Sequence, residues 1–158
     1  MTSISTVPAR RTGTVILLAG ALLLGGPLAS HRAEAYDFSE AQKRVRNKIN
    51  NERETRGKPR LRLNGDLSRI AQRHSREMAE SGSLYHTSRL ASRINRTGMD
   101  WRIIGENVGV GSSIGAVHDA FMKSDPHRRN ILDRRFRKIG VGVFGSGGRV
   151  WITIIFLG

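Results

Sequence analysis

The sequence predicts an α+β domain in which helices flank an antiparallel sheet, and three observations carry that prediction. Ile139, Val141 and Val143 alternate with glycines, Gly145 to Gly148 turns the chain, and Val150 to Phe156 returns as an apolar run, the pattern of a β-hairpin. The returning strand is apolar on both faces, as a central strand covered on each side must be. The first half of the domain instead repeats apolar residues at spacings of three and four, the period of amphipathic helices.

The elements follow in order. Ser39 and Gln42 make a capping-box pattern, and Phe38, Ala41, Val45 and Ile49 form one face of a helix. That helix runs to about Arg56 and is stopped by Gly57 and Pro59. Leu61 and Leu63 alternate with Arg60, Arg62 and Asn64, giving a short extended piece. A second helix starts near Asp66 with Leu67, Ile70, Ala71, His74 and Met78 on one face, and Gly82 stands as its C-terminal cap. A shorter helix is expected around Ser88–Arg96. Gly105 to Gly111 is too rich in glycine for a helix and reads as irregular or extended. Ser112 or Ser113 caps a further helix holding Val117, Ala120 and Phe121, which must end before Pro126.

With 158 residues and a net charge of +14, the chain has room for one domain with a packed core. Arginine supplies 22 of the 27 basic residues, so polyanionic partners come into view. There is no cysteine, which excludes a disulfide scaffold, a thiolate zinc site and a cysteine nucleophile. Arg10 and Arg11 precede an apolar run from Val15 to Ala29, and Ala33-Glu34-Ala35 provides the small residues of a cleavage site. Residues 1–35 therefore read as a secretory signal peptide and 36–158 as the exported domain, 123 residues at net +12. An uncleaved N-terminal anchor is the alternative, but Gly25, Gly26 and Pro27 interrupt the run. The general secretory route fits better than twin-arginine export, since no Phe-Leu follows the Arg pair. A small exported domain without cysteines points to a bacterium.

Three residues stand out for chemistry: His86, Glu106 and His127, each read as lying at the end of an element or between elements. Two imidazoles and a carboxylate are a common zinc ligand set with an open position. Spacing alone favours the plainer alternative, in which each residue bonds within its own loop. His74 belongs to an apolar stripe and reads as a packed histidine, and His118, beside Asp119, as a surface one. Gly109-Val110-Gly111 lacks the Lys-Ser/Thr and strand–helix context of a phosphate loop.

Taken together, Asn50 to Arg53, Leu61 to Asn64, His74 with Met78, and Tyr85-His86 make an ordered series. Gly105-Glu106-Asn107, Ser124 to Leu132, Gly140 to Val143 and Trp151 to Phe156 continue it. In this series the chain, from Phe38 to Phe156, resembles the CAP (SCP/PR-1-like) superfamily in its short bacterial form. The resemblance implies a three-layer α-β-α sandwich around a central antiparallel sheet. It also implies a cleft lined by two histidines and two acidic residues, with His86, Glu106 and His127 on three of the four positions. Ser124 stands where the second acid is expected, Phe121 where a Trp is usual, and Pro126 is displaced by one residue. On this footing His86 and His127 would bind zinc or another divalent cation, with Glu106 supplying charge or orienting a water. Ser124 can offer a hydroxyl but no charge. Catalysis by Ser124, His127 and Glu106 needs a contact that Pro126 would have to arrange, and no nucleophile-elbow sequence surrounds Ser124.

Arg128, Arg129, Arg134 and Arg135 form the densest basic run and stand as the candidate anion-binding residues. Three functions are carried forward. The leading one is an exported ligand-binding module with a His/His/Glu cleft, whose ligand is a lipid or a peptide, both themes that the resemblance brings. The others are a metal-dependent hydrolase acting on peptides or cell-wall material at the same cleft, and a basic adhesin for anionic surface polymers or membranes. Nucleic acid is not expected, because aromatic side chains do not interleave the basic run apart from Phe136.

Overall fold

The computed structural model describes residues 38–158. The leader read over residues 1–35 lies outside the described residues. The elements are α1 (Glu40–Glu54), β1 (Arg62–Leu63), α2 (Gly65–Ser81), α3 (Leu90–Asn95), β2 (Ile104–Gly111), α4 (Ile114–Lys123), α5 (Asp125–Leu132), β3 (Lys138–Ser146) and β4 (Arg149–Leu157). Among the described residues no helix is long and apolar enough to cross a membrane.

Local chemistry sets the helix starts as expected. The Ser39 hydroxyl accepts the Gln42 N–H at 3.2 Å, and the Gln42 side-chain oxygen accepts the Ser39 N–H at 3.0 Å. Asn64 caps α2 by accepting from the Leu67 N–H, and Gly82 closes that helix in the left-handed region at φ 65°. Ser113 caps α4 through the Ala116 N–H. Pro126 does not mark a loop. It sits in the first turn of α5, where its missing N–H has no helical partner to lose. His127 consequently lies in the first turn of a helix, at the end of an element rather than between elements.

The strand order is β1-β3-β4-β2. β4 pairs antiparallel with both β2 and β3, so the C-terminal hairpin forms as predicted and its apolar second strand is central. β1, only two residues long, pairs parallel with β3. The sheet is therefore mixed rather than wholly antiparallel, because the chain leaves β1 through α2 and, by way of α3, β2, α4 and α5, returns beside it in the same direction as β3.

β4 divides the core between two layers. Ile152, Ile154 and Phe156 point to one face, against Val45 and Ile49 of α1, Val117 and Phe121 of α4, and Ile131 of α5. Ile155 and Leu157 point to the other, against Leu67 and Ala71 of α2 and Ile94 of α3. The alternating glycines of β3 let α2 lie directly on the sheet. A Cβ on Gly140 would sit 2.3 Å from the Leu67 Cβ, and one on Gly142 would sit 2.2 Å from the Ala71 carbonyl oxygen.

Beyond the reach of β1, the outer edge of β3 is capped by helix side chains. Gln42 donates to the Val141 carbonyl at 2.8 Å, and the Val141 N–H donates to the Ser68 hydroxyl at 3.1 Å. Gln72 meets both backbone groups of Val143, at 2.9 and 3.0 Å. No backbone group of these two residues is left without a partner.

His118 is buried at the seam of α1 and α4, which corrects its reading as a surface residue. α4 buries Val117, His118 and Phe121, so its covered stripe is wider than one row of apolar residues. Burial lowers the His118 pKa, partly offset by Glu52 at 3.7 Å.

Candidate functional site

Glu106 stands in the edge strand β2 with only 6% of its side chain exposed. Its carboxylate is met by a single short segment of chain. Oε2 accepts from His86 Nδ1 at 2.8 Å and from the Thr87 N–H at 2.9 Å, while Oε1 accepts from the Thr87 hydroxyl. A buried charge held by three donors is a stable arrangement. With Nδ1 bonded to the carboxylate, the imidazole of His86, 65% exposed, turns Nε2 toward solvent.

His127 approaches from the first turn of α5. Its ring lies 5.0 Å from that of Phe121. Burial pushes its pKa below the ordinary histidine value, and the nearby His86 adds to the effect, so the ring is neutral at neutral pH. Two asparagines fix α5 against β2. Asn107, fully buried, donates to the His127 carbonyl at 3.0 Å. Asn130 donates to Asn107 Oδ1 at 2.9 Å and to the Glu106 carbonyl at 3.2 Å.

The backbone of β2 adds a further feature. Ile103 and Gly158 exchange both backbone hydrogen bonds, at 3.1 and 3.0 Å. In the antiparallel register this directs residues 105, 107, 109 and 111 toward β4 and turns the N–H and C=O groups of Ile104, Glu106, Val108 and Val110 outward. The outward groups of Val108 and Val110 open on a trough of about 290 Å³, walled by Leu84 on one side and by Phe121, Ser124 and His127 on the other. Gly109 lacks a side chain for a reason: a Cβ there would sit 2.8 Å from the Phe121 ring. Leu84 and Tyr85, 50% and 40% exposed, are the large hydrophobic residues left in water among the described residues.

A family model described as CAP, cysteine-rich secretory protein family, matches residues 46–156. The chain belongs to the CAP family. Its domain is 32% identical over 125 residues to the YkwD protein of Bacillus subtilis (strain 168), covering 76% of this chain and 48% of that protein. This chain thus spans about half the length of that curated relative. Among solved structures, an extracellular SCP-domain protein of Bacillus anthracis str. Ames matches with a TM-score of 0.65 at 24% identity, over 74% of this chain and 40% of that one. A structure described as NaASP2 with Zn2+ matches with a TM-score of 0.58 at 11% identity, over 78% of this chain and 82% of that one. At these identities the structural likenesses establish the fold.

In this CAP domain the three expected ligands are arranged as a supported pair. Glu106 is committed to His86 and Thr87, which leaves two imidazoles as donors, and among the described residues no group of three His, Asp or Glu is close enough to hold a metal ion. Ser124, at the junction of α4 and α5, makes no capping bond with its side chain and lines the trough beside His127. No Ser124–His127 hydrogen bond is formed among the described residues.

The basic run after His127 separates into two kinds of residue. Arg128 and Arg129 line a shallow groove of about 400 Å³ together with Asp125 and Asp133. Arg135 is bound to Asp133 through Nε at 3.0 Å and a terminal nitrogen at 2.6 Å. The Asp133 carboxyl is held below its usual pKa by those hydrogen bonds. Of the four candidate anion-binding arginines, Arg135 is thus already paired. Arg134 is exposed, and its carbonyl accepts from Arg137.

Sequence reasoning passed over Thr87, which directly follows His86, and Asn107 and Asn130, which lie within quoted motifs. It also missed Arg53, which is fully buried and donates to the carbonyls of Pro59 at 2.7 Å, Ile131 at 2.8 Å and Asp133 at 2.9 Å. Burial lowers its pKa, with Arg137 adding to the effect. Arg53 ties the end of α1 to the exit of α5 and so steadies the helix that carries His127.

Proposed function

We propose that this CAP domain is an exported peptide-binding module that seats an extended chain along the free edge of β2. The observation that carries the reading is the outward pair of backbone groups at Val108 and Val110 on the floor of an apolar trough. A peptide in extended conformation satisfies those N–H and C=O groups by adding a strand, while its side chains meet Leu84 and Phe121. A lipid tail offers no hydrogen-bonding partner and would leave the same groups unpaired, at a cost of about 1–3 kcal/mol each. The exposed Leu84 and Tyr85 fit a rim that becomes covered on binding. Export rests on the leader pattern of residues 1–35 and on the extracellular description of the Bacillus anthracis structure.

The decisive measurement is NMR titration with an alternating Val-Thr hexapeptide as probe. The amide signals of Val108 and Val110 should shift together. Val110→Pro removes one outward N–H without touching the ladder to β4, and should weaken the probe about tenfold while the fold persists. Equal affinity in that variant would sink the strand-addition reading.

A second reading, metal-assisted hydrolysis of the seated chain, is favoured by the carboxylate-supported His86 and the neutral His127. A divalent cation would be held by those two imidazoles and would supply Lewis acidity; Glu106 would keep His86 oriented. Zinc titration of the wild type and of His86→Ala/His127→Ala should separate the two proteins, and equally negligible uptake by both removes this reading.

A further inference from the structure

We propose that a second site, a groove between α2 and α3, binds the phosphate groups of an anionic polymer. Arg69, Arg73, Arg93 and Arg96 line a concavity of about 220 Å³ with Ile70 and Thr97. The acidic side chain in that lining is Asp66, and it bonds Arg69. Arg69 and Arg73 also line an adjoining groove of about 300 Å³ with Gln72 and Arg76. The two concavities share these residues, so five guanidiniums follow one continuous track across two helices.

The arrangement opposes the local preferences of α2. Arg69 and Arg73 are four residues apart and Arg73 and Arg76 three, spacings at which like charges repel along a helix. Glu77, four residues beyond Arg73, lies 3.5 Å from His74 instead. A ligand with repeated negative charge removes that repulsion, and the planar fork of arginine matches phosphate oxygens in pairs.

The surroundings select the class of ligand. A membrane-docking surface pairs its cations with apolar side chains that insert, and neither exposed Leu84 nor Tyr85 lines this track. Single-stranded nucleic acid asks for aromatic platforms, and none lines either concavity. A flexible polymer with a phosphodiester or polyphosphate backbone needs only the cations and the groove.

The test uses short-chain inorganic polyphosphate as probe, with binding followed across a salt series. Arg73→Gln/Arg93→Gln should weaken binding at least tenfold and lower the salt slope by about two, while the thermal midpoint stays at the wild-type value. The matched control, Arg44→Gln/Arg62→Gln, removes the same charge from exposed positions outside the track and should bind as the wild type does. Equal losses in both variants would show a response to net charge alone and overturn the site. Failure of the wild type to bind polyphosphate, or binding to phosphatidylglycerol vesicles with none to polyphosphate, would overturn it as well.

Discussion

Along β3, past the two residues of β1, side chains from α1 and α2 meet the backbone of Val141 and Val143. Along β2, Asn130 meets the Glu106 carbonyl, and the outward groups of Val108 and Val110 face a trough. Both are margins of one sheet, and both would invite pairing with another chain if left bare. The fold closes the first with Gln42, Ser68 and Gln72 and surrounds the second with Leu84, Phe121, Ser124 and His127. The contrast shows that an open edge here is a choice of side chains rather than a property of the strand. It also separates the residues that hold the sheet from those that offer it.

The comparison can be broken most severely at the closed edge. Gly142→Val would drive a side chain into the backbone of α2, and a loss of about 3 kcal/mol or more is expected in denaturant unfolding. A smaller effect should follow from Gln72→Ala, which strips both partners from Val143 and should cost about 1–3 kcal/mol, with faster amide exchange at that residue. The mildest test is pH. His127 and His118 both have pKa values lowered by burial, so the unfolded chain binds protons that the folded one refuses. Stability is therefore full above the unfolded histidine pKa of about 6.5 and falls as pH drops through it. His118→Phe should flatten that dependence, and an unchanged curve would remove His118 from the account.

Much of this was legible along the chain. The hairpin, the capping box of α1 and the Gly82 stop all rest on neighbouring residues, and neighbours are what a sequence displays. The misses share a cause. β1 showed itself as a short extended piece, but its parallel partner is a strand more than seventy residues away. Pro126 looks like a breaker unless the start of a second helix is already known. His118 is covered by α1, which its own helix cannot reveal. At the site, His86, Glu106 and His127 stood out by residue type and the family pattern joined them in one cleft, whereas Thr87, which holds both carboxylate oxygens, contacts Glu106 across nineteen positions. The free edge of β2 is carried by backbone atoms and so leaves no trace in residue types.

Arg53 has a consequence for the order in which the molecule can assemble. Its carbonyl acceptors on Ile131 and Asp133 lie 78 and 80 positions further along the chain. A polypeptide emerging N-terminus first presents α1 with only the Pro59 carbonyl as acceptor for that guanidinium until most of the domain has followed. The first helix to appear is thus among the last to be locked, and the late arrival of residues 131–133 sets the moment at which the histidine helix becomes firm.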